Sequence, residues 1–362
     1  MIKEDDFFCP PTWTGEVKDF QRFDVYPWMK NLTKYKKIFC NFWVKWQNSI
    51  DLPLGYDFYI ISYHIENINE PWLRQQRQRV SGKIIVLHPG YIYDFQINGI
   101  DFITYLDWHE HTKTMMKWHG VQDNRDNKIY KYSAVCNRVT QSKVWVTTKL
   151  LETAREQSLI YINHWIEGKN VHHWQLTGNA VLDDLTQTYQ KKYLGLKKSD
   201  AFTAQDNKQR YNSNPWQPLY MDAALHFTNG SFHYSLMSDP QGNSHIYPGP
   251  DIDEKTLKCL VAGTPFIACG QFEIYKILSD FGLEFDYEFD LSWDNDPGNM
   301  SRFHSICRLI DDLNALTIDD IVQLTKKSTQ HNKEFIIKGG FYSRLEQQKK
   351  QSINQLMDLI HA

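Results

Sequence analysis

The chain has 362 residues, a length that suits two domains of ordinary size or one large domain. Its hydrophobic content of 41% is enough to fill a core, and its formal net charge of −3 argues against a nucleic-acid binder held mainly by electrostatics. The first residues, Met1–Asp6, are polar and acidic, and no apolar run approaches the roughly 18 residues that a membrane span requires. The six cysteines show no C-x-x-C spacing, which is typical of free thiols in a reducing compartment. We therefore expect a cytoplasmic protein without a membrane span.

Residues 1–125 predict a first α/β domain of the Rossmann-like kind. The predicted strands are Ile38–Trp46, Tyr56–Tyr63, Lys83–Leu87 and Phe102–Leu106. The run Glu70–Val80 predicts a short helix, because Pro71 is well tolerated in a first helical turn. Lys83–Leu87 is almost continuously apolar, which is typical of a parallel strand covered on both faces. Strands that alternate with helices indicate a layered α/β structure.

Residues 126–340 repeat this alternation after the polar run Val121–Lys128 and predict a second Rossmann-like domain. The predicted strands are Tyr132–Cys136, Leu159–Ile162, Phe232–Met237 and Phe266–Cys269. The predicted helices are Lys143–Gln157, Ala180–Tyr193, Glu254–Val261, Phe272–Asp280, Met300–Leu313 and Ile318–Lys327. Residues 341–362 predict one amphipathic helix at the end of the chain.

The most informative segment, Pro250–Cys269, combines a loop, a helix start, a turn and a buried strand. Aspartates before the helix suit its N-terminus, Glu254 and Lys255 follow, and Lys258 comes one turn later. A helix N-terminus with adjacent cations is a natural phosphate site, and a carboxylate beside it can accept two hydrogen bonds from a sugar diol. The pattern indicates a site for the ribose and diphosphate of a nucleotide-sugar. A well-capped amphipathic helix without a ligand is the alternative interpretation.

The block E-K-T-L-K-C-L-V-A-G-T-P resembles the donor-binding motif of GT-B glycosyltransferases, and is most similar to their fucosyltransferase-like and exostosin-like branches. The matching residues are Glu254, Lys255, Leu257, Lys258, Leu260, Ala262, Gly263 and Pro265. The resemblance covers the region Tyr130–Asp312. It implies two Rossmann-like domains that face a central cleft, with the C-terminal helix, here 341–362, crossing back to the first domain. It also implies that Lys255 contacts the diphosphate and that Glu254 contacts the ribose.

Further donor contacts are expected where strands end, because ligands of open α/β sheets bind outside the carboxyl ends of the strands. Arg138 follows the first strand of the second domain and resembles the diphosphate-binding arginine of the fucosyltransferase-like branch. The forked N–H groups of a guanidinium suit phosphate oxygens. Lys143 follows in the next helix, whereas the second arginine that relatives often carry is missing from V-T-Q-S-K. In GT-B folds the loop equivalent to Ser238–Pro250 covers the base and the sugar. The expected contacts in it are Asn243, His245 and Tyr247.

Sugar transfer also needs a general base that deprotonates the acceptor hydroxyl, and GT-B enzymes take it from the first domain. The strand ends of that domain offer His64, Glu66, His88, Asp107, His109 and Glu110. Glu66 is the preferred candidate and His64 the second. Both residues follow the strand Tyr56–Tyr63 directly.

No metal or other cofactor is expected. The W-H-E-H run at Trp108–His111 offers two histidines but no third ligand, and it lacks the H-E-x-x-H spacing. Two D-x-D pairs, Asp251–Asp253 and Asp294–Asp296, resemble the metal-binding pair of GT-A enzymes, but they are predicted to be a helix cap and an acidic turn. Neither a G-x-G-x-x-G fingerprint nor a G-x-S-x-G elbow is present.

The sequence therefore predicts a metal-independent glycosyltransferase that moves a hexose or pentose from a nucleotide diphosphate donor to a hydroxyl. Arg138, Lys255 and the helix dipole would stabilise the leaving diphosphate. The acceptor is a glycan or, in view of the Lys-, Asn- and Ile-rich composition of an AT-rich genome, a hydroxymethylated base of phage DNA. Two alternatives stay open: a non-catalytic nucleotide- or sugar-binding protein, and a virion protein whose aromatic surface is an interface.

Overall fold

The computed structural model describes fourteen parts of the chain, which are residues 13–16, 37–44, 51–63, 68–88, 96–105, 128–136, 141–162, 218–228, 237–238, 244–245, 252, 254–269, 273–296 and 299–362. The chain divides into two compact units. The first takes Met1–Asp107, Asp239–Asp251 and Gln347–Ala362, and the second takes Trp108–Ser238 and Ile252–Glu346. None of the helices in the described parts is both long and apolar enough to cross a membrane.

The first unit contains a five-stranded sheet whose strand order follows the chain. The strands are β1 (Trp13–Glu16), β2 (Ile38–Val44), β3 (Phe58–Tyr63), β4 (Lys83–His88) and β5 (Ile100–Thr104). Strand β1 is antiparallel to β2, and the pairs from β2 to β5 are parallel. Helix α1 (Glu70–Arg79) connects β3 to β4, and the side chain of Asn69 caps it by accepting the N–H of Trp72. Within the described strands the order never reverses, so they contain no switch point of a doubly wound sheet.

The second unit contains a four-stranded parallel sheet in the order β11-β8-β6-β7. The strands of this half of the chain are β6 (Tyr130–Cys136), β7 (Ser158–Ile162), β8 (Ala223–Thr228), the two-residue β9 (Met237–Ser238) and β10 (Ser244–His245), and β11 (Phe266–Ala268). The helices are α2 (Gln141–Thr153), α3 (Pro218–Met221), α4 (Glu254–Ala262), α5 (Ile274–Asp280), α6 (Asn299–Asn314) and α7 (Ile318–Ile337). After β6 the chain adds β7 on one side and β8 on the other, so the strand order reverses between β6 and β8.

The last helix, α8 (Gly340–His361), completes the core of the first unit. Side chains of a strand alternate between the two faces of its sheet, so the first sheet buries two layers. On one face, Ile60 and Ile85 pack with Leu356 and Ile360 of α8, and all four are at most 5% exposed. On the other face the neighbouring strand residues pack with Leu73 of α1. The first sheet is therefore covered by helices on both faces.

The core of the second unit is rich in aromatic side chains. Trp145 of α2 is fully buried, and its ring centroid lies 4.6 Å from that of Phe303 in α6. Beside β11, the hydroxyl of Tyr275 donates to the carbonyl of Phe266 at 2.9 Å and accepts the N–H of Ala268 at 3.0 Å. Burial raises the pKa of Tyr275 well above its ordinary value. Many of the aromatic residues therefore fill the core, as the composition allows.

The α/β prediction is confirmed, with parallel strands in both sheets. Two differences from the sequence expectation concern longer elements of the second unit. Strand β8 was not predicted, although it lies beside β6 near the centre of the second sheet. Helix α7 runs to Ile337, ten residues beyond the predicted end at Lys327. The predicted helix Ala180–Tyr193 and most of the predicted strand Phe232–Met237 lie outside the described residues.

Candidate functional site

The reversal of strand order between β6 and β8 marks the place where open α/β sheets bind ligands, at the carboxyl ends of these strands. Helix α4 leads into β11 through a three-residue connection, and β11 pairs in parallel with β8. A helix joined to a strand by such a short turn runs back along the sheet. The N-terminus of α4 therefore lies toward the carboxyl ends of the strands, where its N–H groups attract anions.

The C-terminal end of α4 fixes this placement. Gly263 has a φ of 65°, and its N–H bonds to the carbonyl of Leu260 while the N–H of Thr264 bonds to that of Cys259. These two bonds form a Schellman motif, which needs a left-handed residue at the position of Gly263. The hydroxyl of Thr264 donates to the carbonyl of Tyr220, and the carbonyl of Pro265 accepts the N–H of His226. The A-G-T-P sequence therefore attaches α4 firmly to α3 and β8.

Two lysines of α4 are buried: Lys255 is 7% exposed and Lys258 is 6% exposed. Residues three apart on a helix share a face, so the two cations lie close to each other along α4. Every other described side chain from Thr256 to Ala262 is buried as well, because α4 packs between α7, α3 and β8. Buried cations raise the local positive potential far more than exposed ones, which favours an anion beside them.

One titratable group that feels the charge of these lysines is His226, which is fully buried in β8. Its Nδ1 lies 2.7 Å from the hydroxyl oxygen of Ser133 in β6, and the two residues are direct partners in the parallel ladder. Burial, followed by the positive charge of Lys255, lowers the pKa of His226 to about 3, and Lys258 adds to the effect. The imidazole is therefore neutral at physiological pH, and the charge of this region resides on the lysines.

A second buried polar group follows β11. Asp294 and Arg302 are each 3% exposed, with 4.0 Å between Oδ1 and Nη2. The carboxylate of Asp294 accepts the N–H groups of Ile274 and Tyr275 at 3.2 and 3.0 Å, and thereby caps α5. Burial raises the pKa of Asp294 to about 6, although the helix N–H groups and Arg302 oppose the shift. The sequence predicted an acidic turn at Asp294, and in the structure its carboxylate holds the start of a helix.

Of the predicted site residues, Lys255 and Lys258 lie together on α4 and act on His226. Glu254 begins α4, Lys143 lies in α2 and His245 lies in β10, and their side chains are outside the described residues. His245 belongs to the first unit, whereas both lysines belong to the second. His88, another residue considered as the base, is fully buried at the end of β4. The remaining donor and base candidates are outside the described residues, namely His64, Glu66, Arg138, Asn243 and Tyr247.

The sequence analysis missed Ser133 and His226. The signal available for His226 was the buried run A-A-L-H-F-T, in which a single histidine interrupts apolar residues. Ser133 stands inside the strand that was predicted as Tyr132–Cys136. A comparison of the chain with known protein families, curated proteins and solved structures finds no match.

Proposed function

We propose that the chain is a glycosyltransferase that binds a nucleotide-sugar at the N-terminus of α4. The observation that carries the proposal is the pair of buried lysines, Lys255 and Lys258, beside the reversal of strand order in a parallel sheet. A diphosphate is the anion that suits two cations and a helix N-terminus at once. The sequence block that resembles the GT-B donor motif begins at the same helix, with Glu254 as the expected partner of the ribose.

In the proposed reaction the diphosphate is the leaving group, and its developing charge needs stabilisation in the transition state. Lys255 and Lys258 supply fixed positive charge in a buried setting, so they act without a metal ion. Arg138 completes the proposed anion site, and Glu66 or His64 removes the proton from the acceptor hydroxyl. Two Rossmann-like domains around a cleft, and a cytoplasmic location, belong to the same proposal.

Isothermal titration of the full chain with UDP, GDP, CDP and dTDP tests the site. The informative variants are Lys255→Met and Lys258→Met, because methionine keeps the buried aliphatic stem and removes the charge. Lys326→Met is the matched control, since Lys326 is exposed on α7. We expect each buried variant to weaken binding of one nucleotide by about tenfold to a hundredfold, which corresponds to about 1.5–3 kcal/mol for a charged hydrogen bond. The control should bind as the wild type does.

The proposal fails if none of these nucleotides binds, or if the two methionine variants bind as tightly as the control. Incubation with the matching nucleotide-sugars then separates catalysis from binding. Release of nucleoside diphosphate in the presence of a glycan or of hydroxymethylated DNA supports transfer. Binding without release or transfer indicates the non-catalytic alternative. Activity on modified duplex DNA should also fall steeply with salt, because phosphate contacts release counterions.

A further inference from the structure

An open groove of about 800 Å³ lies in the first unit, between the strand β5 at the edge of the sheet and the helix α8. Its volume falls within the range of about 300–1,000 Å³ that is typical of small-molecule sites. Five of its described lining residues carry side-chain amides: Gln96, Asn98, Gln348, Gln351 and Gln355. All of its described lining residues belong to the first unit, and none of them belongs to α4.

The helix wall of the groove follows directly from helix geometry. Residues 348, 351, 352 and 355 of α8 are spaced at three, four and seven positions, so they share one face of the helix. The adjacent stripe of the same helix, with Leu356 and Ile360, is buried against the sheet. Gln351 and Gln355 are exposed, so their amides are available to a ligand.

The strand wall begins with a tight turn. The N–H of Ile100 bonds to the carbonyl of Ile97 at 3.0 Å, and Gly99 at the third position of the turn has a φ of 78°. This is the signature of a type II turn, which needs glycine at that position. A Cβ at Gly99 would also lie 2.8 Å from Nε of Arg77. The turn therefore holds the backbone of the exposed Asn98 at the groove in a defined position.

Hydrogen bonds fix the centre of the groove. Ser352 is 4% exposed, and its hydroxyl donates to the carbonyl of Thr104 at 2.6 Å. The Nε2 of Gln348 donates to the same carbonyl at 3.2 Å and to the hydroxyl of Ser352 at 3.0 Å. Because a carbonyl can only accept, these bonds define which end of the Gln348 amide is nitrogen. The amide oxygen Oε1 of Gln348 is buried and has no hydrogen-bond donor among the described residues, which is a costly state.

The chemistry of the lining is polar and nearly neutral. The only described ionisable group in it is Asp101, whose carboxylate pairs with the ammonium of Lys83 at 3.3 Å. None of the described lining residues is itself a cation, and the nearby Arg77 and Lys83 are bonded to backbone carbonyls and to Asp101, respectively. Amide side chains offer both donors and acceptors, which is the combination that hydroxyl groups of a neutral ligand can satisfy.

We propose that this groove binds a neutral oligosaccharide, with the amides of Asn98, Gln351 and Gln355 bonded to its hydroxyls. A neutral saccharide can bond to the exposed amides as both donor and acceptor, and it leaves the ion pair of Lys83 and Asp101 in the strand wall undisturbed. The inference goes beyond the proposed function, because the site needs neither a nucleotide nor any residue of α4. It assigns the first unit a binding surface of its own.

The test is titration of the full chain with maltohexaose, cellohexaose and an N-acetylglucosamine hexamer, followed by calorimetry and ligand-observed NMR. The probes for other occupants are a sulfated heparin hexasaccharide and an extended octapeptide of alternating Thr and Val, which would add to the edge of β5. The groove variant carries Gln351→Ala and Gln355→Ala. The matched control carries Gln347→Ala and Asn354→Ala, which are exposed on the same helix but do not line the groove. All four substitutions place a strong helix former at exposed positions, so folding is retained.

We expect at least one neutral hexasaccharide to bind, and the groove variant to weaken this binding by about tenfold or more, the effect of losing one or two hydrogen bonds. The control variant should bind as the wild type does. The proposal is overturned if no neutral saccharide binds, if both variants bind equally, or if the groove variant loses heparin or peptide binding instead. UDP or GDP binding should be the same in both variants, so failure here is distinguishable from failure of the nucleotide site.

Discussion

Ser133 and His226 face each other across β6 and β8, with 2.7 Å between Oγ and Nδ1, although 93 positions of sequence separate them. They lie where the strand order of the second sheet reverses, next to the buried lysines of α4. The pair therefore joins the two strands whose carboxyl ends would receive a ligand, and it does so with a neutral imidazole.

The first prediction concerns the pH dependence of His226. Its folded pKa of about 3 lies below the ordinary value of 6.5, so the unfolded chain takes up a proton that the folded chain excludes. The contribution of neutral His226 to the free energy of unfolding is complete above pH 6.5. It is lost as the pH falls toward 3, by at most about 5 kcal/mol. His226→Asn should remove this loss. Urea unfolding at pH 7 and at pH 4.5 measures it, and an unchanged difference between wild type and variant would contradict the prediction.

The second prediction concerns Asp294, which should stabilise the folded protein as the pH falls, whereas His226 destabilises it. Its folded pKa of about 6 lies above the ordinary value of 3.8, so the folded chain gains a proton before the unfolded chain does. As the pH falls from 6 to 4, this residue therefore adds stability, by about 3 kcal/mol at most. Asp294→Asn should abolish the gain. In the same unfolding experiment, the Asp294 variant should lose stability relative to wild type on acidification, whereas the His226 variant should gain it.

The third prediction concerns the end of α4. Gly263→Ala should destabilise the protein by about 1 kcal/mol, because an alanine is strained at a φ of 65°. Steric room is not the cause, since the nearest atom to an added Cβ is 3.4 Å away on the Lys333 side chain. Gly263→Asn is the matched variant, because asparagine tolerates this conformation. Thermal unfolding should rank wild type, asparagine and alanine in that order, and equal losses in both variants would refute the strain argument.

The fourth prediction concerns the packing of α8 on the first sheet. Leu356→Ala should cost about 2–5 kcal/mol, because Leu356 is 1% exposed in the core with Ile60 and Ile85. Leu359→Ala is the control on the same helix, and it should cost less because Leu359 is only partly buried. Urea unfolding of both variants checks the order. Similar losses would mean that Leu356 does not hold the helix to the sheet.

Elements that are specified by local pattern were predictable. The apolar run of β4 and the proline near the start of α1 gave strand and helix within one residue of the observed ends. Helix α4 was predicted to within one residue because acidic residues precede it and Gly263 ends it. The buried lysines of α4 were therefore identified from sequence, although their burial was not.

Features that depend on distant contacts were not predictable. Strand β8 gains its hydrogen bonds from β6 and β11, which are distant in sequence. Its six residues are too few to show a clear alternation of apolar and polar side chains. The predicted end of α7 was too early because polar residues there face inward. Asn332 is 5% exposed, and its amide bonds to the backbone N–H and carbonyl of Glu284 at 2.8 and 2.7 Å. A polar residue that is buried by such bonds interrupts the apolar period without ending the helix.

The first unit is discontinuous in the chain, because residues 1–107 share it with 347–362. During synthesis on the ribosome, Ile60 and Ile85 emerge long before Leu356 and Ile360, the residues that cover them in the finished protein. One apolar face of the sheet therefore stays uncovered for most of the time of translation, until its covering helix has been synthesised. The nascent chain must keep this face from aggregating, which makes the early segment a natural client for a chaperone.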